Sequence, residues 1–315
     1  MRELTNEIQN EVNRVILGKQ DVVRKVLMAI LARGHVLLDD VPGVGKTTMA
    51  MAFAKALGLE THRVQFTSDT LPSDIIGFSV YDQQSGGLKY QPGAVMTNLL
   101  LADEINRTSS KTQSALLEAM EERQVTVDGV TRRLPEPFVV LATQNPVGSA
   151  GTQMLPTSQL DRFIVQLSMG YPDVENQAML MKERHHSNPL DECKAVVDTT
   201  KLQELSKEAM DTYVADSVYA YIAELTEATR VNPEILLGVS PRGALALCRA
   251  AKANAYLEGR DYTTPEDVCA VFYDVVAHRL VMSARARLHE VTAKMALDEI
   301  LERVKKPDVR EFKVK

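Results

Sequence analysis

The sequence predicts an α/β fold, a largely parallel sheet with helices on both faces, followed by a small all-α domain. Three observations carry this. Between residues 35 and 167, short apolar runs alternate with helical stretches, each run too short for a core helix. Such alternation is what strand–helix–strand crossovers in a parallel sheet produce. Beyond about Asp173 the strand-like runs stop, and from Lys201 to the C-terminus the texture is helical. A chain of 315 residues has room for two compact domains. The break is expected around residues 185–200, which divides the chain into 1–190 and 191–315.

The first thirty residues read as helix. Leu4, Ile8, Val12 and Val15 recur at helical spacing, and Val22, Val23, Val26, Leu27, Ile30 and Leu31 continue the period after a break at Ile16-Leu17-Gly18-Lys19-Gln20. The strand candidates follow: His35–Asp39, Arg63–Phe66, Asn98–Ala102, Phe138–Ala142 and Phe163–Leu167. Two stretches interrupt the alternation. Gly77 to Gly93 holds Ser85-Gly86-Gly87, and Gln124 to Leu134 holds Asp128-Gly129 between valines, a strong hairpin signal. A sheet core needs neither hairpin, so both are candidate working parts. In the C-terminal part, Ser240-Pro241 and Thr264-Pro265 mark helix starts. The hydroxyl caps orphan amides, and proline suits the first helical position.

Composition narrows the function classes. Apolar residues at 45% and charged residues at 25% are ordinary for a soluble globular chain. A net charge of −6 argues against a dedicated nucleic-acid binder, which carries a basic excess. Cys193, Cys248 and Cys269 are far apart and form no C-x-x-C pair, so reduced thiols in the cytoplasm are expected. No run of 18 apolar residues occurs, and Met1–Glu7 lacks the apolar core of a signal peptide, so no membrane span is expected. His185-His186 point apart on a helix and have no nearby ligand cluster, so metal binding there is not expected. The basic tail (Lys305, Lys306, Arg310, Lys313, Lys315) also carries Asp308 and Glu311 and reads as a solvated end.

The chemistry-bearing signal is Asp39-Asp40-Val41-Pro42-Gly43-Val44-Gly45-Lys46-Thr47-Thr48. Glycines let backbone N–H groups turn inward around phosphate oxygens; Lys46 reaches the β- and γ-phosphates of ATP, and the Thr47 hydroxyl meets Mg²⁺. The context fits: Val36-Leu37-Leu38 precedes as a strand, and Met49, Phe53 and Leu57 follow on one helix face. One departure is Asp40, where the strict pattern has glycine. Next comes Asn98-Leu99-Leu100-Leu101-Ala102-Asp103-Glu104, a buried strand with two carboxylates at its C-terminal end, where open α/β sheets bind ligands. Acidic residues ending a strand are common turn formers. After a phosphate loop, at one strand–helix–strand remove, Asp103 reads as the Mg²⁺ ligand and Glu104 as the base that polarises water. In Val139-Val140-Leu141-Ala142-Thr143-Gln144-Asn145, Asn145 is a candidate to orient that water or touch the γ-phosphate, with a plain turn before Pro146 as the other reading.

In this order and spacing the motifs resemble the AAA+ superfamily of P-loop NTPases, and several stretches resemble its MoxR branch. These are Val41–Thr47, Gln65-Phe66-Thr67 with Leu71-Pro72-Ser73-Asp74, Leu101–Arg107, Ala142–Pro146 and Gln159-Leu160-Asp161-Arg162-Phe163. Asp40 also fits this branch, and the likeness runs from residue 15 to about 290. The resemblance implies strand order 5-1-4-3-2, hairpins facing the pore of a ring, a hexamer, and ATP held between subunits. Arg162 would then be the finger contributed across the interface, with Arg107 a weaker candidate for a similar role, and both have the alternative of a surface ion pair. Ile16–Gln20 resembles the segment that lines the adenine pocket.

Arg242, in Ser240-Pro241-Arg242-Gly243, falls in the first turn of a helix, where a cation opposes the dipole by about 0.3–1 kcal/mol. The placement makes sense if an anion lies opposite, the γ-phosphate being the obvious one. The resemblance agrees, since this arginine matches the family's second sensor. A surface pair with a carboxylate such as Glu234 is the alternative. The family's members are chaperone-like ATPases that help assemble or activate client proteins, often metal-containing enzymes, with partners carrying von Willebrand factor A domains. A nucleic-acid motor and a magnesium-chelatase-like metal-insertion subunit are the competing readings. The acidic charge weighs against the first. A GTPase is disfavoured because no Asn-Lys-x-Asp occurs, and a small-molecule kinase by the helical lid and Arg162.

Overall fold

The computed structural model describes residues 2–41, 43–84, 86–145, 155–183 and 188–308. Pro42, Ser85, Pro146, His185-His186 and the tail residues Arg310, Glu311, Lys313 and Lys315 lie outside the described residues.

In chain order the helices are α1 (Arg2–Val15), α2 (Gln20–Leu31), α3 (Lys46–Ala56), α4 (Pro72–Ile76), α5 (Ser110–Glu122), α6 (Thr157–Leu160) and α7 (Val174–Glu183). Then come α8 (Pro189–Glu192), α9 (Thr199–Asp211), α10 (Asp216–Val231), α11 (Pro241–Leu257), α12 (Pro265–Val276), α13 (Ala284–Leu288) and α14 (Ala293–Arg303). The strands are β1 (Val36–Asp39), β2 (Thr61–Gln65), β3 (Phe78–Asp82), β4 (Gly87–Gln91), β5 (Leu99–Asp103) and β6 (Gln124–Val127). They continue with β7 (Val130–Arg133), β8 (Val139–Gln144), β9 (Val165–Leu167), β10 (Ile235–Leu237) and β11 (Val281–Met282).

Five strands form one parallel sheet in the order β2-β5-β8-β1-β9. Counting only its own strands along the chain, this is the expected 5-1-4-3-2. Residues of β1, β5 and β8 are buried on both faces because each face carries its own core. Val36, Leu38, Leu99, Leu101, Val139 and Leu141 pack into one hydrophobic layer. Leu37, Leu100, Ala102, Val140 and Ala142 pack into the other. The period of two along each strand divides the side chains this way, and double coverage explains why the runs read as continuously apolar. Both hairpins form, β3 with β4 and β6 with β7.

The helical starts follow the capping chemistry. The Ser240 hydroxyl accepts from Gly243 N at 3.1 Å at the start of α11, and the Thr264 amide donates to Asp267 at 2.8 Å at the start of α12. One expectation needs correction: strands do not stop at Asp173. β10 and β11 pair as an antiparallel ribbon in the C-terminal part. Ile235-Leu236-Leu237 is three residues long, too short for any period to separate strand from loop.

Candidate active site

Parallel strands put all their C-terminal ends on one edge of the sheet, and there the phosphate loop leaves β1. Gly43 and Gly45 have φ of 87° and 98°, a region open to glycine and costly for other residues. A Cβ added at Gly43 would meet nothing within 4 Å, so its requirement is conformational and not one of space. Lys46, buried at the start of α3, donates to Asp40 O (2.5 Å), Gln144 O (3.0 Å) and Asn145 Oδ1 (3.3 Å). Burial lowers its pKa, opposed by the carboxylates of Asp40, Asp39, Asp103 and Glu104. The ammonium therefore bridges β1 and β8 across the site, on neutral acceptors that phosphate oxygens outbid as charge-assisted partners.

Asp103 ends β5 and is almost fully buried. The Thr47 hydroxyl stands 3.3 and 3.5 Å from its two oxygens, Thr143 donates to Oδ1 at 3.2 Å, and Arg63 Nε donates to Oδ2 at 2.8 Å. Glu104 follows at φ 56°, a left-handed conformation unusual for a non-glycine residue. Its amide donates to Thr143 Oγ at 2.9 Å, and its carboxylate accepts from Asn145 Nδ2 at 2.9 Å and Arg107 at 2.8 Å. Strain of this kind persists where surroundings over-determine it, and here they fix where the carboxylate stands. Arg107 holds the Glu104 carboxyl below its ordinary pKa against the effect of burial, with Asn145 adding to the lowering.

Asp40 is more than a tolerated departure from glycine. Its carboxylate accepts from Ser168 Oγ (2.9 Å), Met169 N (2.6 Å), Gly170 N (2.6 Å) and Val41 N (3.0 Å). Burial alone would raise its pKa, yet these donors hold it lowered. The contacts tie the phosphate loop to the segment after β9. Beside that seam opens a cavity of about 390 Å³ lined by Ile16, Leu17, Val44, Met169, Leu180 and Met181 among others.

Lys46, Thr47, Asp103, Glu104 and Asn145 thus converge, with Val41, Gly43, Val44, Gly45 and Thr48 in the loop and first turn around them. Arg162 and Arg242 do not join them. Arg162 precedes β9, and its Nε donates to Glu121 Oε2 at 2.7 Å; Arg242 donates to Glu121 Oε1, also at 2.7 Å. Glu121 lies near the end of α5, which starts beyond β5 and runs back to the opposite edge. The four residues of β1 alone separate the edges by about 13 Å. Within this chain Arg242 thus lies away from Lys46 and pairs with Glu121, while Glu234, the carboxylate expected for such a surface pair, is taken by Arg285 at 3.1 Å.

The physical reason is how the C-terminal helices dock. Ser240 Oγ donates to Asp161 Oδ2 at 3.0 Å, and the buried Arg279 donates to Asp161 Oδ1 at 2.7 Å and Phe163 O at 2.7 Å. This fastens the start of α11 to the segment before β9, so Arg242 lands beside Arg162. Arg107 is engaged within its own chain, on Glu104. Arg63, Glu121, Asp161 and Arg279 escaped the sequence reading as functional candidates. Two of them left a trace: Asp161, beside Arg162 in Gln159–Phe163, and Arg279, a charge within the apolar run Val275–Val281.

Residues 35–165 match the model of the ATPase family associated with various cellular activities (AAA), and residues 227–300 match that of the AAA lid domain. The chain is 45% identical over 307 residues to the uncharacterized protein YeaC of Bacillus subtilis, covering 98% of this chain and 96% of that one. It is 38% identical to the chaperone MoxR1 of Mycobacterium tuberculosis over 95% of this chain and 81% of that protein. A crystal structure from Cytophaga hutchinsonii, described as that of an ATPase, superposes with a TM-score of 0.90 at 37% identity, covering 98% of this chain and 96% of that one.

Proposed function

From the premise that this chain belongs to the MoxR family of AAA+ ATPases, we propose that it hydrolyses ATP with Mg²⁺ as one subunit of a ring and uses the cycle to remodel a partner protein. The observation that carries this is the meeting of Lys46, Thr47, Asp103, Glu104 and Asn145 at the C-terminal edge of β1, β5 and β8. In this reading residues 1–190 bind the nucleotide and residues 191–315 are the lid.

The Thr47 hydroxyl and Asp103 carboxylate are an all-oxygen donor pair 3.3–3.5 Å apart, which suits the hard Mg²⁺ ion. Bound there, the ion would neutralise charge on the β- and γ-phosphate oxygens. Lys46 exchanges its carbonyl acceptors for those oxygens. Glu104, kept ionised by Arg107 and oriented by Asn145, accepts the proton of the attacking water. The cavity beside Val44 and Met169 takes the adenine. Arg162 and Arg242 stand too far from their own phosphate loop and act on ATP held by the adjoining subunit, where a guanidinium in trans offsets transition-state charge. A hexameric ring in the cytoplasm, a partner with a von Willebrand factor A domain and a client protein complete the proposal. The three free thiols suit a reducing compartment. Nucleic acid is not the expected partner at a net charge of −6.

The test is a subunit-mixing experiment. Lys46→Ala keeps the arginines but loses its own nucleotide site, and Arg162→Ala does the reverse. Each alone should be nearly inactive, and a mixed ring should recover part of the turnover. A mixed ring confirmed by mass measurement that recovers nothing would remove the interface role of Arg162.

A further inference from the structure

Two helices of the C-terminal part end at a pocket of about 400 Å³. Glu208, Asp211 and Thr212 reach it from the end of α9, Tyr256 from the last turn of α11, and Arg260 and Asp261 from the loop that follows. The charges here run against the helix dipoles. A helix C-terminus carries partial negative charge and favours cations. The last turn of α9 holds no basic residue and carries Glu208 and Asp211 instead, and the last turn of α11 holds none either. Asp261 adds a third carboxylate.

The chain does not answer these acids. Arg260 is spent on the buried Asp267, in a two-point pair at 2.6 and 2.5 Å. Lys252 donates to Met210 O at 2.6 Å and pairs with none of the three. Among the described residues, Glu208, Asp211 and Asp261 form no ion pair. Acids around a dent in the surface are often a solvated rim, but Thr212 sets this pocket apart. It is 3% exposed, and among the described residues its Oγ1 meets no hydrogen-bond partner. A buried hydroxyl left unpaired is costly, and a donor entering the pocket would pair it. Among the described residues no three His, Cys, Asp or Glu stand close enough to hold a metal ion. The carboxylates are therefore spaced for something larger than a bare cation. Tyr256 supplies a ring for the wall, and its O–H donates to Glu208 Oε2 at 2.7 Å, which fixes that carboxylate.

We propose that this pocket takes the ammonium group of a lysine side chain presented by a partner polypeptide. A compact ammonium carries three N–H donors, which suits acceptors spread over the end of α9 and the loop after α11. A planar guanidinium calls for two parallel acceptors on one carboxylate, the arrangement Arg260 already has on Asp267. The aliphatic stem of lysine packs on the Tyr256 ring while its head stays among the carboxylates. Tyr213, next to Thr212 in the chain and half exposed, offers the partner an aromatic surface of the kind interfaces favour. A free polyamine would use the acids but not Tyr213. Nucleotide has no part in this contact, so the site stands or falls apart from the ATPase reading.

Calorimetry and NMR titration of the full-length protein with Nα-acetyl-lysine methylamide test the site. Saturable binding of one molecule per chain is expected, weakened by salt. The norleucine analogue, with a similar stem and no charge, should bind about tenfold more weakly or worse. Asp211→Asn/Asp261→Asn should weaken the lysine amide by about tenfold, and Thr212→Val, which keeps the shape and drops the hydroxyl, by about threefold. Both variants should unfold at or above the wild-type temperature, since one removes clustered negative charge and the other an unpaired hydroxyl. A marked drop would make these groups structural and overturn the site. No saturable binding, equal binding of the norleucine analogue, or unchanged affinity in either variant overturns it too. A blocked Gly-Gly-Lys-Gly-Gly peptide should bind at least as tightly as the single residue. Binding of spermidine without binding of that peptide would assign the pocket to free polyamines and overturn the polypeptide partner.

Discussion

The two edges of the central sheet are built on opposite electrostatic plans. At the C-terminal edge every charge is answered: Lys46 has three acceptors, Asp103 has Thr47, Thr143 and Arg63, and Glu104 has Asn145 and Arg107. At the N-terminal edge arginines outnumber carboxylates three to one around a cavity of about 180 Å³. One edge is complete within the chain and the other is not. A parallel sheet cannot bring its two edges together, so in the proposed ring Arg162 and Arg242, which share Glu121 and do not reach their own phosphate loop, serve a second chain.

The contrast can be broken by substitution, and the largest effect belongs to the complete edge. Glu104→Gln should lower kcat by about 10²–10⁴-fold while ATP affinity stays the same, because an amide orients water but takes no proton. Single-turnover hydrolysis and equilibrium binding read the two quantities separately, and wild-type turnover in this variant would remove Glu104 as the base.

The arginines of the other edge should separate next by what they support. Arg279 is 3% exposed and answers Asp161. Arg279→Ala strands a partly buried carboxylate and should cost about 3–5 kcal/mol of stability in denaturant unfolding. Arg162, in a half-exposed pair, should cost under about 1 kcal/mol when changed to alanine, while turnover collapses. Equal destabilisation by both would erase the distinction between anchor and working group.

The smallest effect is one of pH. Arg107 holds the Glu104 carboxyl below its ordinary pKa, so the base stays ionised further into acid. In Arg107→Ala that pKa rises, and the acid limb of kcat should move to higher pH with little change near neutrality. A limb that stays in place would mean that Arg107 does not tune the base.

The fold was largely legible because its evidence is local. Runs such as Leu99–Asp103 are apolar over their length and bounded by turns, and Asp128-Gly129 marks its hairpin by turn chemistry alone. The cluster at the C-terminal edge was legible for a related reason. Each of its residues ends a strand or starts the helix after it, so position in the chain fixes position in space. The arginine cavity has no such signature. It draws on residues 33, 123, 162, 242, 249 and 279, and only the docking of the C-terminal helices unites them. For Arg242 the helix start was evident from Ser240-Pro241, but the edge against which that start is fastened was not. β10 and β11 were lost to brevity.

That fastening has a mechanical side. Ser240 and Arg279 grip Asp161 from the C-terminal helices, and the next residue, one peptide unit or 3.8 Å away, is Arg162. The arginine is in effect mounted on the lid as much as on the sheet. A tilt of the lid against the sheet therefore reaches Arg162 nearly undiminished, and a shift of about 1 Å in a reacting group changes a rate by about 10²-fold. If Arg162 acts across a ring interface as proposed, the grip on Asp161 is a short lever whose far end works on another subunit's clock.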